Sequence, residues 1–81
     1  MARVFLPQQL RHLTGGAAQL HVMVDDFRGL MAELDRCFPG FRAAIERDFA
    51  LVIDGDIIND PLLETIPTAS EIHFLHRLGG G

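Results

Sequence analysis

The chain closes on Leu78-Gly79-Gly80-Gly81, and the one reactive group this segment offers is the carboxylate of Gly81. Glycine has no Cβ to obstruct a narrow channel and the widest backbone freedom of any residue. Gly79 and Gly80 therefore suit threading into a partner's site, with Gly81 as the end that arrives there. Taken alone, the same residues fit a flexible linker stub equally well.

Other residues with chemical potential lack partners at useful spacing. Cys37 would need a base and a lowered pKa to act as a nucleophile, and no motif supplies them; it reads as a buried structural thiol. His73 and His76 lie three apart on an expected strand and so point to opposite faces, which rules out joint metal binding. His12 and His21 have no acidic or thiol ligand pattern near them. Asp54, Asp56 and Asp60 lack the spacing and terminal glutamate of an EF-hand. Gly15-Gly16 lacks the Lys-Ser/Thr of a phosphate-binding loop. No metal site is expected.

The elements that must present the tail come from one small domain. Eighty-one residues at 48% hydrophobic are enough for one compact core. No apolar stretch approaches a membrane span, and Met1-Ala2-Arg3-Val4-Phe5-Leu6-Pro7 is too short for a signal peptide. A single cysteine excludes an internal disulfide and fits a reducing compartment, by default the cytoplasm. Eleven acids against seven bases give a net charge of −4. Without a basic stripe, nucleic acid is a poor partner; an acidic surface favours partners with basic docking patches. All seven bases are arginine, so the chain offers no ε-amine for isopeptide linkage to a sister copy.

Arg3-Val4-Phe5-Leu6 reads as a first strand ended by Pro7. After Gln8 to Leu13, Thr14-Gly15-Gly16 forms a reversal. Gln19 to Val24 alternates as a half-buried strand, antiparallel to the first. Asp25 and Asp26 then offer a helix cap. Phe27, Leu30, Met31 and Leu34 form one apolar stripe on a helix, which Gly29 weakens slightly and Pro39-Gly40 ends. Only a short, weakly signalled helical turn is expected over Phe41 to Arg47. Phe49 to Ile53 is an apolar strand, Asp54-Gly55 a hairpin turn and Asp56-Ile57-Ile58 a return strand. Leu62-Leu63 suits a single helical turn. Glu71 to Arg77 is the last strand, with Ile72 and Phe74 on one face and His73 and Leu75 on the other.

This order predicts an α+β chain with a mixed four- to five-stranded sheet and one main helix packed on one face. That is the β-grasp, or ubiquitin-like, arrangement. Residues 1–78 form the domain and 79–81 a flexible glycine tail.

The whole chain resembles the sulfur-carrier branch of the ubiquitin-like proteins, the MoaD/ThiS family. That branch includes the small subunit of molybdopterin synthase, the thiamine-pathway carrier ThiS and the carriers of thiocarboxylate-dependent cysteine synthesis. The resemblance rests on Val4-Phe5-Leu6-Pro7, Leu10 to Gly16, Gly29 to Leu34, Phe38-Pro39-Gly40, Leu51 to Gly55, Ser70-Glu71-Ile72 and the closing Gly-Gly. The stretch from Leu6-Pro7 to Gly16 looks most like the cysteine-synthesis carriers. Two features depart from the family. The final strand, His73 to Leu78, is closer to the Arg- and Leu-rich end of ubiquitin, and three glycines stand where two are usual. Gly81 is then either the reactive end or an extra residue removed to expose Gly80.

The resemblance implies a non-catalytic role. An adenylating enzyme related to ubiquitin-activating enzymes uses ATP to turn the Gly81 carboxylate into an acyl-adenylate. A sulfur donor, such as a rhodanese or cysteine desulfurase, then converts it to a thiocarboxylate for an acceptor biosynthetic enzyme. The carrier binds no cofactor of its own. Leu75, Arg77 and Leu78, with His73 at the rim, are the expected docking residues, and Leu75 equally fits a lone exposed apolar side chain. Two other readings stay open: a ubiquitin-like modifier conjugated through its terminal glycine, and a β-grasp binding module with an inert tail.

Overall fold

The computed structural model describes residues 1–78; Gly79, Gly80 and Gly81, read above as a separate tail, lie outside the described residues. Strand β1 (Ala2–Phe5) is followed by a 3-10 turn (Gln8–Leu10) and the short α1 (Arg11–Thr14), then β2 (Gln19–Val22). Helices α2 (Phe27–Cys37) and α3 (Phe41–Asp48) lead into β3 (Phe49–Ile53), β4 (Asp56–Ile58) and β5 (Glu71–His76). The sheet order is β2-β1-β5-β3-β4. Only the central β1–β5 pair is parallel; β1–β2, β3–β4 and β3–β5 are antiparallel. The helical crossover is what lets β5 run beside β1 in the same direction. This is the β-grasp, with all five strands in one sheet.

The predicted stripe of α2 is the centre of the core. Phe27, Leu30, Met31 and Leu34 are all buried, against Val4, Leu51 and Ile72 from the inner face of the sheet. Helix α3 is the main departure from expectation. It is a full eight-residue helix burying Phe41, Ala44 and Ile45, so two helices, not one, cover this face. Its N-terminus is capped from upstream: an Asp35 carboxylate oxygen accepts from the amides of Gly40 (3.2 Å) and Arg42 (3.1 Å). Local pattern carries no sign of that cap, since Pro39-Gly40 reads as a break. Other differences are smaller. The first strand begins at Ala2, the second stops at Val22, and Leu62-Leu63 sits in a turn closed by Glu64 N–H to Pro61 C=O (2.9 Å) rather than in a helical turn.

The start of α2 explains Gly29. The Asp26 carboxylate caps the helix by accepting from the Gly29 amide at 2.7 Å. A Cβ built on Gly29 would stand 2.9 Å from that same oxygen. Alanine normally gains about 1 kcal/mol over glycine within a helix, but losing an aspartate cap costs about 0.5–2 kcal/mol. Gly29→Ala is therefore expected to leave stability unchanged or lower it by about 1 kcal/mol in urea titration. A gain would show that the cap tolerates the methyl group.

Candidate functional site

The site is built on the face of the sheet opposite the helices. Strand alternation sends Ile72 and Phe74 of β5 inward and Glu71, His73 and Leu75 outward. Register then fixes their neighbours: His73 pairs with Val52 and Leu75 with Ala50, while Val52 pairs with Ile57 on β4. On the other side of β5, the ring of Phe5 stacks on that of His73 with centroids 4.4 Å apart. Arg3 lies over Phe5 at 5.4 Å and binds Glu71 at 2.7 Å. That ion pair is exposed and adds little stability. His73 was expected at the rim of the docking face; it stands one row from Leu75, held flat by Phe5.

Leu75, Arg77 and Leu78 are brought together. With Ala50, Ile57, Asn59 and His76 they line one open groove of about 610 Å³. Three large apolar side chains stand exposed around it: Ile57 (55%), Leu75 (50%) and Leu78 (93%). Ala50 is buried at its base. Ile57 was missed by the sequence reading. The signal was present, because two consecutive isoleucines on one strand cannot both face the core. Past β5, the Arg77 amide donates to the Asp48 carbonyl at 2.7 Å, which ties the chain to the end of α3 immediately before Leu78. The residues expected to thread, Gly79 and Gly80, and Gly81, expected to carry the reacting carboxylate, lie outside the described residues.

Remaining candidates resolve into structural roles, with one correction. Asp54 and Gly55 make the tight hairpin turn, both at positive φ (49° and 89°). Asp54 also exchanges hydrogen bonds with Glu71, its amide to the Glu71 carbonyl (2.9 Å) and its carboxylate from the Glu71 amide (2.8 Å). His76 turns away from His73 and packs edge-on against Phe49, with centroids 5.0 Å apart. Among the described residues no group of three or more His, Cys, Asp or Glu could hold a metal ion, and no helix is long and apolar enough to cross a membrane.

Cys37, expected to be buried, is exposed. Phe38 takes the inward position at the end of α2 and leaves the thiol outside. Its sulfur lies 3.7 Å from a Glu33 carboxylate oxygen and 3.7 Å from the Arg36 guanidinium. The hydrogen bond from Arg36 holds the Glu33 carboxyl below its ordinary value, and the same contact raises Arg36. The folded protein should accordingly take up one equivalent of a thiol reagent at the rate of an accessible cysteine. Labelling that required denaturant would restore the buried reading.

No protein-family model matches this chain, and no curated protein matches it in sequence. Solved structures do. The chain is similar to a chain of the Amycolatopsis orientalis BexX/CysO complex, with a TM-score of 0.87 and 16% identity over 100% of both chains. The fold is the one CysO has. Mycobacterium tuberculosis CysO, described as an antigen, is similar at a TM-score of 0.85 and 16% identity, over 96% of this chain and 100% of that one. The likeness therefore spans the fold as a whole, from β1 to β5.

Proposed function

We propose that this protein is a cytoplasmic sulfur carrier whose C-terminal glycine carboxylate is adenylated and then converted to a thiocarboxylate. The observation that carries the reading is how the fold releases its chain. β5 is locked between β1 and β3, Arg77 is tied to Asp48, and the chain then leaves beside an exposed apolar groove. The likeness in fold to CysO and the sequence resemblance to the cysteine-synthesis carriers support the same reading.

The chemistry needs no side chain from the carrier. A carboxylate is a poor electrophile because it lacks a leaving group. A Gly81 carboxylate oxygen attacks the α-phosphorus of ATP in the adenylating enzyme, pyrophosphate departs, and the carbonyl carbon becomes an acyl-adenylate. The terminal sulfur of a donor persulfide attacks that carbon and AMP leaves. A thiol then cleaves the resulting acyl disulfide to free the thiocarboxylate, which an acceptor enzyme draws on. The carrier contributes reach through Gly79 and Gly80, and docking through Leu75, Arg77 and Leu78.

Intact mass after incubation with ATP, a persulfide donor and the adenylating enzyme of the same genome tests this. A sulfur-for-oxygen mass gain at the C-terminus is the expected result, and its position identifies Gly81 or Gly80 as the reactive end. Adducts of higher mass on other proteins, lost when Gly80-Gly81 are deleted, would mark a modifier instead. An unchanged mass with a competent enzyme present would leave a binding module.

A further inference from the structure

The two edges of the sheet are guarded differently. At one edge, β4 is only three residues long. It carries Asp56 and runs into Asn59-Asp60-Pro61, so charge and proline both discourage a further strand there. At the other edge, β2 has neither defence. Ala17 to Val24 contains no acid, no arginine, no proline and no glycine. Register shows what this edge presents. Ala2, Arg3, Val4 and Phe5 stand opposite Val22, His21, Leu20 and Gln19. The same register continues to Leu6, whose amide donates to the Ala18 carbonyl at 2.9 Å. Hydrogen-bonded pairs alternate along an antiparallel ladder. Ala18, Leu20 and Val22 therefore direct their backbone groups to β1. Gln19, His21 and, where the chain runs on, Met23 turn theirs to the free edge. Among the described residues no backbone hydrogen bond outside the sheet reaches those three. Met23 is 84% exposed, and Leu20 and Val24 are only partly buried at the margin of the core.

We infer that β2 pairs with β2 of a second copy of this chain, antiparallel about a twofold axis at His21, joining the two sheets edge to edge. The edge is complementary to itself. With His21 opposite its own counterpart, Gln19 stands opposite Met23, and every free amide and carbonyl finds a partner, about six bonds in all. The neighbours on either side fix that axis. The Ala17 amide already donates to the Thr14 carbonyl (3.2 Å), and the Asp25 carbonyl already accepts from the Ile66 amide (2.8 Å), so neither extends the free row. On the helix side of the sheet Leu20 then faces Val22, and Ala18 faces Val24. Apolar meets apolar along the contact, which completes the burial of Leu20 and Val24. On the other side His21 lies beside Arg3, whose guanidinium is held by Glu71. No acid of one copy faces an acid of the other, although each copy carries −4. A foreign strand would satisfy the backbone groups equally, but the side-chain match across the axis belongs to the chain paired with itself, in the isologous manner of a twofold dimer. β2 lies at the opposite edge from β3 and β4. Pairing there leaves the Leu75 groove and the chain's exit uncovered, so the inference goes beyond the carrier reading and does not depend on it.

Sedimentation of the full chain from about 10 µM to about 1 mM tests the inference, over the range in which a small interface forms. The native protein is expected to pass from monomer to dimer across it. The amides of Gln19, His21 and Met23 should gain protection from hydrogen exchange as it does. His21→Lys and His21→Glu, each first checked for native melting, should each weaken self-association about fivefold or more, because like charges then oppose each other across the axis. Mixing the two variants should restore a dimer, since lysine then faces glutamate, and a folding defect cannot produce that rescue. Met23→Pro removes only an edge-facing amide and should also weaken the dimer. A native chain that stays monomeric at about 1 mM would overturn the inference. A dimer that survives both His21 variants would do the same. So would one that Leu75→Asp abolishes while the His21 variants do not, which would place the contact at the groove. None of these results bears on sulfur loading, which intact mass measures separately.

Discussion

Phe41→Ala is expected to destabilise the protein by about 3–5 kcal/mol, the range for emptying a phenylalanine site in a closed core. Phe41 is 0% exposed. Its ring stands 6.1 Å from that of Phe38 and meets Phe74 of β5 edge-on at 5.9 Å. It joins α3 to the sheet at a point where nothing smaller fills the space. Domains of this size have total stabilities on the order of 4–12 kcal/mol, so this one change brings the protein close to unfolding at ordinary temperature. Urea titration should show a large fall in midpoint with an unchanged slope. Ile53→Val, which removes one methyl group at the edge of the same core, should cost only about 0.5–1.5 kcal/mol. A loss below about 1 kcal/mol for Phe41→Ala would mean that α3 is peripheral, as the weak local pattern of its sequence suggested.

That contrast shows where sequence was sufficient and where it was not. The stripe of α2 was readable because four large apolar residues recur at helical spacing over a helix with its own cap. The β3–β4 hairpin was readable because Asp54-Gly55 is a pair that tolerates two positive φ angles. Helix α3 was not, because its stripe is short, includes a small alanine and takes its cap from Asp35 in the previous helix. Cys37 misled for a related reason. At three residues past Leu34 it sits at the margin of the stripe, and the position is decided by Phe38, which turns inward as the helix ends. Alternation along β5 correctly placed Leu75 outward. The groove itself depended on register between β3, β4 and β5, which joins Ala50 to Leu75 and Val52 to Ile57. Pairings of that kind are tertiary facts, and single-strand periodicity does not contain them.

Gly80→Val is expected to abolish adenylation and sulfur loading while leaving the fold intact. On the proposed carrier reading, valine would add a branched Cβ where the backbone has to thread an adenylation channel, and it narrows the accessible backbone angles as well. The folded domain gives no reason for a stability change. Among the described residues the hydrophobic core is complete by Phe74, and the last backbone anchor is the Arg77 amide. A substitution that removes none of these described contacts is expected to shift stability by no more than about 0.5 kcal/mol, so the melting temperature should move by less than about 4 °C. The pair of readouts therefore separates a threading defect from a folding defect. Deleting Gly81 alone sharpens the test, because it shortens the reach of the carboxylate by about 3.5 Å. Lost activation would make Gly81 the reacting residue, whereas full activity would make Gly80 the end that the adenylating enzyme uses. A Gly80→Val protein adenylated as fast as the native one would remove the reason for reading these glycines as a threading segment. It would leave the groove at Leu75 as a binding surface for some other purpose.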